Sequence, residues 1–403
     1  MKILHTADLH LGNVLYGYER INEEMDVLKQ ISHIINEEQP DAMIISGDIF
    51  NNYAPSMLSQ RMYLEAILDM HKQKENMSII ITAGNHDSPT RIEITEPLWK
   101  YFNVHTIGQT PILSSSERDF LNNDDKQIES FIAACYEKYV IEIKRQDILI
   151  GYVIAIPYSN NKNITKFANL LLSYVQKRNI DSLPVVLSVH LALMGSKLSS
   201  GNSRADDFTW FDYSSIDEAK YDYLALGHIH FPQTLQGNKA RYSGSPLAVS
   251  FNEQYLHSVS LVEVKHGKKP QIETRTLIDS YSPITFPNKP TSIEEVFHSA
   301  LESKEKLKNH YIRFNILLDE DYLPYGSKEK AIKIAEEAGG KFCVFNIERT
   351  KNIITRAEVI TTEEFQRLEP KDVMLKYLEE SGRNELEDLD ELLKQAMEVN
   401  YEN

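Results

Sequence analysis

Residues 2–12 read Lys2-Ile3-Leu4-His5-Thr6-Ala7-Asp8-Leu9-His10-Leu11-Gly12. Lys2–Thr6 is a short β-favouring run that leads straight into an Asp-x-His pair. In extended chain, residues two apart point the same way, so Asp8 and His10 face one site. The construction recurs downstream. Ala42–Ser46 leads into Gly47-Asp48, and Ser78–Thr82 into Gly84-Asn85-His86-Asp87. Val185–Val189 ends in His190, and Tyr223–Leu226 in Gly227-His228-Ile229-His230. These runs are apolar and rich in β-branched residues, as suits strands buried on both faces. Gly47, Gly84 and Gly227 each precede a ligand-type residue, where a missing Cβ lets the chain turn sharply.

Helical patterns lie between the runs. Arg20–Glu38 sets Ile21, Met25, Leu28, Ile31, Ile34 and Ile35 on one face, and Ser56–His71 is a second amphipathic segment. Alternation of this kind over the first 265 or so residues predicts an α/β domain. Tyr242 to Val249 and Ser258 to Val264 read as two more strands closing it. Pro283, Pro287 and Pro290 mark a linker at 282–291. Beyond it, helix-like Ile293–Leu301 and Ser327–Ala338 alternate with β-like Tyr311–Leu317 and Lys341–Ile347, a small α+β domain. Gly339-Gly340 supplies the stop before the last strand. From Thr361 the tail reads as two helices. Pro370 opens the first, and Leu386, Leu389, Leu392, Leu393 and Met397 form an apolar stripe on the second. The expected division is therefore 1–280, 281–360 and 361–403.

Composition bounds the class. The 403 residues are 42% hydrophobic and 25% charged, values of an ordinary globular protein. No apolar run approaches the roughly 18 residues a membrane span needs. The β-like start, running straight into Asp8, predicts no signal peptide. Two distant cysteines, Cys135 and Cys343, give no disulfide framework, which suits a reducing cytoplasm. The net charge of −16 argues against nucleic acid. Much of the acid, however, lies in the last third, as in Glu294-Glu295, Glu336-Glu337 and Glu379 to Glu391. Divalent metals held by carboxylates would also reverse the local field.

In open α/β sheets, ligands bind outside the carboxyl ends of the strands. Those ends here supply Asp, Asn and His, with no thiolate, a set that fits Mn, Fe, Zn or Co. Asp8, His10, Asp48, Asn85, His190, His228 and His230 exceed what one ion takes from protein. Two ions are implied, a pair that sits roughly 3.5–4 Å apart and acts on phosphate oxygens and a bridging water. His5, His33, His71, His105, His257, His266, His298 and His310 lack strand-end context and read as structural or surface residues. Ser243-Gly244-Ser245-Pro246 is either a plain turn or a loop near the site.

The series Asp-x-His, Gly-Asp, Gly-Asn-His-Asp, a strand-end His and Gly-His-x-His resembles the calcineurin-like metallophosphoesterase superfamily. Several stretches are similar to the SbcD-type nuclease subunits within it. They are His5 to Gly12, Gly47-Asp48-Ile49-Phe50, Gly84 to Ser88, Tyr223 to His230 and Tyr242-Ser243-Gly244-Ser245-Pro246-Leu247. The resemblance covers the first 250 residues. It implies a two-layer β-sandwich flanked by helices, a small capping domain that contacts DNA, and a helical tail.

The resemblance further implies one metal on Asp8, His10, Asp48 and His230, and a second on Asp48, Asn85, His190 and His228, with Asp48 as the bridge. His86 is then the catalytic histidine, which Asp87 is expected to orient. The implied activity is Mn-dependent cleavage of DNA, as exonuclease on double-stranded ends and endonuclease on single strands and hairpins. The implied assembly is a homodimer within a heterotetramer with an SbcC-type coiled-coil ATPase, serving DNA repair, recombination and replication. Leu386, Leu389, Leu393 and Met397 would dock on that ATPase. Lys162, Lys166, Lys197 and Arg204, in polar loops beside strand ends, are candidate phosphate contacts, with plain solvated charge as the other reading. The chain departs from archaeal and eukaryotic counterparts at Asn51-Asn52, where those carry a second histidine tied to exonuclease action. Two rival readings are a stand-alone phosphodiesterase on a small phosphoester and a DNA-tethering scaffold with a vestigial site. An intact ligand series counts against the second.

Overall fold

In the computed structural model of the chain, residues 1–110, 125–161, 163–198, 209–319 and 322–349 are described. The tail, with Leu386, Leu389, Leu393 and Met397, lies outside them, as do Lys162 and Arg204. Residues Met1–Glu348 form one compact unit.

The chain opens with β1 (Lys2–Thr6), α1 (Ile21–Glu38), β2 (Ala42–Ser46), α2 (Met57–Gln73), β3 (Ser78–Thr82) and β4 (Val104–Ile107). α3 (Asp125–Tyr139), β5 (Val140–Arg145), β6 (Ile148–Ile156), α4 (Ile164–Arg178), β7 (Val185–His190) and β8 (Tyr223–Gly227) follow. β9 (Gln233–Leu235), β10 (Ala240–Tyr242), β11 (Ser258–Glu263) and β12 (Gln271–Thr276) complete two sheets of six strands. The first has the order β12-β11-β1-β2-β3-β4, and the second β9-β10-β8-β7-β6-β5. β1 to β4 run parallel, and so do β6, β7, β8 and β10, so both sheets present several carboxyl ends together.

Side-chain alternation builds the sandwich. Ile3, Ala42, Ile44 and Ile80 pack with Val186, Leu187, Leu224 and Ala225 of the other sheet. Their neighbours Leu4, Met43, Ile45, Ile79 and Ile81 face Val27, Leu28, Ile31 and Ile35 of α1 and Met62 and Ile67 of α2. One strand therefore fills two cores, which is why these runs read as continuously apolar. Ser56 caps α2 by accepting a hydrogen bond from Ser59 N at 3.0 Å.

Two expectations need correction. Residues 282–291 are not a linker: β13 (Ser282–Thr291) pairs in parallel with β14 (His310–Leu318), which pairs in turn with β15 (Lys341–Arg349). β13 is an edge strand, where proline need not donate to a ladder. Its register passes from Phe286 opposite Phe314 to Thr291 opposite Ile316, so the segment with Pro287 and Pro290 bulges out. The second correction concerns Tyr242 to Val249. The strand ends at Tyr242, and the following Gly244, at φ +80°, turns the chain toward His230.

α5 (Ile293–Glu302) and α6 (Ser327–Glu337) cover the small sheet, with Val296, Phe297, Phe314, Ile316, Ile334 and Phe342 in a core of their own. This layer is fastened to α1. The Tyr311 hydroxyl donates to Glu23 Oε1 at 2.7 Å, and Tyr18 donates to the Phe342 carbonyl at 3.1 Å. Arg20, fully buried, donates to the Ala248 carbonyl and lies 5.2 Å from the centre of the Tyr311 ring. Tyr311→Phe leaves the buried Glu23 carboxylate without that donor, an expected loss of about 1–3 kcal/mol. A lowered urea midpoint at unchanged slope is the predicted result; an unchanged midpoint contradicts the role.

Candidate metal centre

Every ligand candidate read from the sequence comes to one rim. Asp8 and His10 follow β1, Asp48 follows β2, Asn85 and His86 follow β3, His190 ends β7, and His228 and His230 follow β8. Three sets offer ligand atoms all within 4.8 Å of one another: Asp8, His10 and His230; Asp48, His190 and His228; and His10, Asp48 and His86. Asp48 Oδ2 stands 3.7 Å from His10 Nε2 and 3.4 Å from His190 Nε2. Asn85 Oδ1 is 3.1 Å from His190 Nε2, and the Nε2 atoms of His10 and His230 are 3.0 Å apart.

The backbone bends hard to achieve this. Asp8, His10, Asp48 and His228 all sit at positive φ, of 56°, 47°, 51° and 96°. Such conformations cost of order 1–3 kcal/mol each and persist only where surroundings enforce them. The surroundings are backbone hydrogen bonds: Asp8 N donates to Gly47 O at 3.0 Å, and His10 N to Asp48 O at 3.1 Å. Asp8 Oδ1 accepts from His228 N, and Asp48 Oδ1 from His86 N, both at 2.9 Å. Two glycines are required by space. A Cβ on Gly84 would lie 2.1 Å from Asp48 Oδ1, and one on Gly47 would lie 2.2 Å from His190 Nδ1.

The donor set fits cations. Asp8 Oδ2 and His10 Nδ1 are buried with no hydrogen-bond partner, although a buried polar atom is normally satisfied. His190 Nδ1 lies 2.7 Å from the Ser46 carbonyl, and His230 Nδ1 lies 3.0 Å from Glu253 Oε1. Each of these two imidazoles thus donates from Nδ1 and turns Nε2 into the cluster, the orientation a ligand needs.

The calcineurin-like phosphoesterase family profile matches residues 1–232, which contain all seven ligand candidates. Three curated proteins, each named as the SbcD component of the SbcCD nuclease, are similar over most of the chain. The one from Rhodobacter capsulatus is 30% identical, covering 67% of this chain and 68% of that one. The Bacillus subtilis protein is 27% identical, covering 76% and 77%. The Escherichia coli K12 protein is 26% identical, covering 68% and 67%. The chain belongs to the calcineurin-like phosphoesterases, in the SbcD group. It is a metal-dependent phosphodiesterase, with a centre for divalent ions.

Electrostatics of this phosphoesterase centre follow from burial of carboxylates and imidazoles side by side. Burial pushes His10 and His228 down to about 3. Burial also opposes charge on His190 and His230, yet Asp48 outweighs it for the first and Glu253 for the second, raising both to about 9. Burial lifts Asp8 to about 6. Asp48 is held well below the usual carboxylate range: burial works against its charge, and His190 and His10 overcome it. The carboxylates therefore draw positive charge into a buried space, which divalent ions supply in the SbcD-type site.

Asp87 acts differently from the expectation. Its carboxylate does not reach His86; it accepts from Ile49 N at 3.0 Å, Phe50 N at 2.9 Å and Gly84 N at 2.8 Å. It ties the Asp48 turn to the Asn85 turn. His86, exposed, has its Nδ1 2.9 Å from the Asn51 carbonyl, so the position with no second histidine orients His86 through its backbone. Lys197 is exposed on the loop after β7, joined to Gln233 by two hydrogen bonds. Lys166 is half-buried on the first turn of α4. Neither is placed among the ligands.

Three residues escaped the sequence reading. Tyr158 sets its ring 6.0 Å from His190 and 5.8 Å from His228. Glu24 of α1 accepts from Gly12 N and Asn13 N at 3.0 Å, fixing the turn beyond His10. Glu253 partners His230. Glu24 and Glu253 carry no strand-end spacing, and Tyr158, two residues past the end of β6, is not a metal-type residue. Among the structural histidines, His5 is buried against Tyr223 OH at 2.8 Å and Ser46 Oγ at 3.2 Å. The Ser243–Pro246 stretch is a site-proximal loop, with Ser245 N donating to His230 O at 3.1 Å.

Asp87→Asn turns an amide NH2 toward backbone N–H groups and strands at least one of them, at about 1–3 kcal/mol. Chemical denaturation should show that loss together with a smaller rise in melting temperature on adding divalent ions. Wild-type values for both would contradict the tie.

Proposed function

We propose that the chain is a Mn-dependent DNA nuclease, the catalytic subunit of an SbcCD-type complex. The carrying observation is the convergence of Asp8, His10 and His230 with Asp48, His190 and His228 at one rim, in a chain of the SbcD group. In this reading one ion is held by Asp8, His10, Asp48 and His230, and the other by Asp48, Asn85, His190 and His228. Asp48 serves both. When bound, such a pair polarises the phosphodiester and lowers the pKa of an attacking water.

The protein's part is orientation and proton handling. Asp87 and the backbone bonds of the Asp48 turn fix the carboxylates before substrate arrives. His86 donates Nδ1–H to Asn51 O and, in its imidazolium form, would give the Nε2 proton to the departing 3′ or 5′ oxygen. Because the Asn51 side chain accepts from Asn13 Nδ2 at 3.1 Å, it is engaged in the loop rather than presented to DNA. Exonuclease action on double-stranded ends and endonuclease action on single strands and hairpins are both assigned to this one centre. We assign residues 281–360 to DNA contact, with Lys162, Lys166, Lys197 and Arg204 as further phosphate contacts. The 361–403 tail is assigned to docking on the coiled-coil ATPase.

With Mn, the purified chain should nick circular single-stranded DNA, and a chelator should stop it. Asp48→Asn should lose both Mn binding and nicking. His86→Ala should keep Mn binding while kcat falls by about 10²–10⁴-fold. Hydrolysis of small phosphodiesters with no action on DNA would replace this reading with a stand-alone phosphodiesterase.

A further inference from the structure

The loop from Ser250 to Gln254 is fastened on two sides. On one side, Glu253 is only 4% exposed and places Oε1 3.0 Å from His230 Nδ1. Its other oxygen accepts from Ser245 Oγ at 2.9 Å and Val249 N at 3.3 Å. Ser245 also holds the His230 carbonyl through its own N–H. His230 is therefore gripped at backbone and ring by one polar cluster. On the other side, the sequence neighbours of Glu253 contact the small layer. Phe251 is buried in a cluster with Leu15 and Tyr311, and the Arg313 guanidinium lies 5.1 Å from its ring centre. Asn252 Oδ1 accepts from Arg313 Nη1 at 3.3 Å, and Gln254 Nε2 donates to Thr285 Oγ1 at 3.1 Å. Arg313 Nε in turn donates to Thr285 Oγ1 at 3.0 Å, so the β13 and β14 contacts act as one set.

We propose that Glu253 is a positioning residue for His230, and that the β13–β14 layer sets where Glu253 stands through Phe251, Asn252 and Gln254. This rests on the reading of His230 as a metal ligand. A carboxylate on the Nδ1–H of a ligating imidazole fixes its tautomer and ring angle and raises its basicity; removing such a partner typically costs 10–100-fold in metal affinity. The ion shared by Asp8, His10 and His230 is the one affected. The small layer thereby takes part in holding metal without supplying a ligand: displacement of β13 and β14 relative to β8 draws the Glu253 carboxylate away from His230.

The test is Mn titration of the full chain by calorimetry, with electron paramagnetic resonance to separate coupled from isolated Mn. Wild type should take up two coupled ions. Glu253→Ala should weaken one of them by about 10–100-fold and convert the coupled spectrum to that of a single ion. Glu253→Gln keeps an acceptor oxygen for Nδ1–H but turns its amide NH2 toward Val249 N–H, so it should recover part of the affinity that the alanine variant loses. It also serves if the alanine variant does not fold. Arg313→Ala, remote from the ligands, should weaken the same ion severalfold. Two coupled ions at wild-type affinity in Glu253→Ala overturn the positioning role, and unchanged affinity in Arg313→Ala overturns the part assigned to the small layer. A wild-type chain that binds no pair fails the metal reading itself, and this inference with it.

Discussion

The carboxylate of Asp48 is 2% exposed, flanked by His10 and His190, and accepts a backbone hydrogen bond from His86. A buried carboxylate is tolerable only when charge and hydrogen bonds compensate its lost hydration. That constraint shapes the strand ends around it. Gly47 and Gly84 have no room for a Cβ, Asp8 and His10 bond back to the Asp48 turn, and Asp87 commits its oxygens to N–H groups of the Asp48 and Asn85 turns. The sandwich below serves the same end. Parallel strands from both sheets deliver their carboxyl ends to a common edge, and a polar column of His5, Ser46, Ser188 and Tyr223 joins the sheets just beneath it.

The strain at that edge is concentrated in ligand-bearing residues. Four of them hold a left-handed backbone that carries no intrinsic reward. Such a site loses fewer degrees of freedom when it takes up ions and substrate, because the ordering cost has already been met by folding. The same logic extends outward: Glu24 secures the turn beyond His10, and Glu253 secures His230. A ligand set read without these outer carboxylates gives the chemistry but not the rigidity.

Much of this was legible in the sequence, for physical reasons. Lys2–Thr6, Ala42–Ser46 and Ser78–Thr82 match the observed strands because a strand buried on both faces is apolar at each position. Metal-type residues at strand ends are conspicuous because a polar ligand must interrupt an apolar run. Other features had no local signature. The prolines of 282–291 look like a linker until the strand proves to lie at a sheet edge with a bulge. Tyr242 to Val249 has strand-like composition, but Gly244 turns it toward His230. The roles of Asp87, Glu253 and Tyr158 depend on what the tertiary fold places beside them: Glu253 is 23 residues from His230 in sequence. Spacing within a strand could not reveal such partners.

In the proposed mechanism, catalysis at this rim depends on a pair of ions gathered by side chains from separate strands. Anomalous diffraction at the manganese edge, from crystals of the chain grown with Mn, tests that pairing most directly. Two peaks sharing Asp48 are predicted, one also bounded by Asp8, His10 and His230 and the other by Asn85, His190 and His228. A single peak, or peaks away from Asp48, would contradict it.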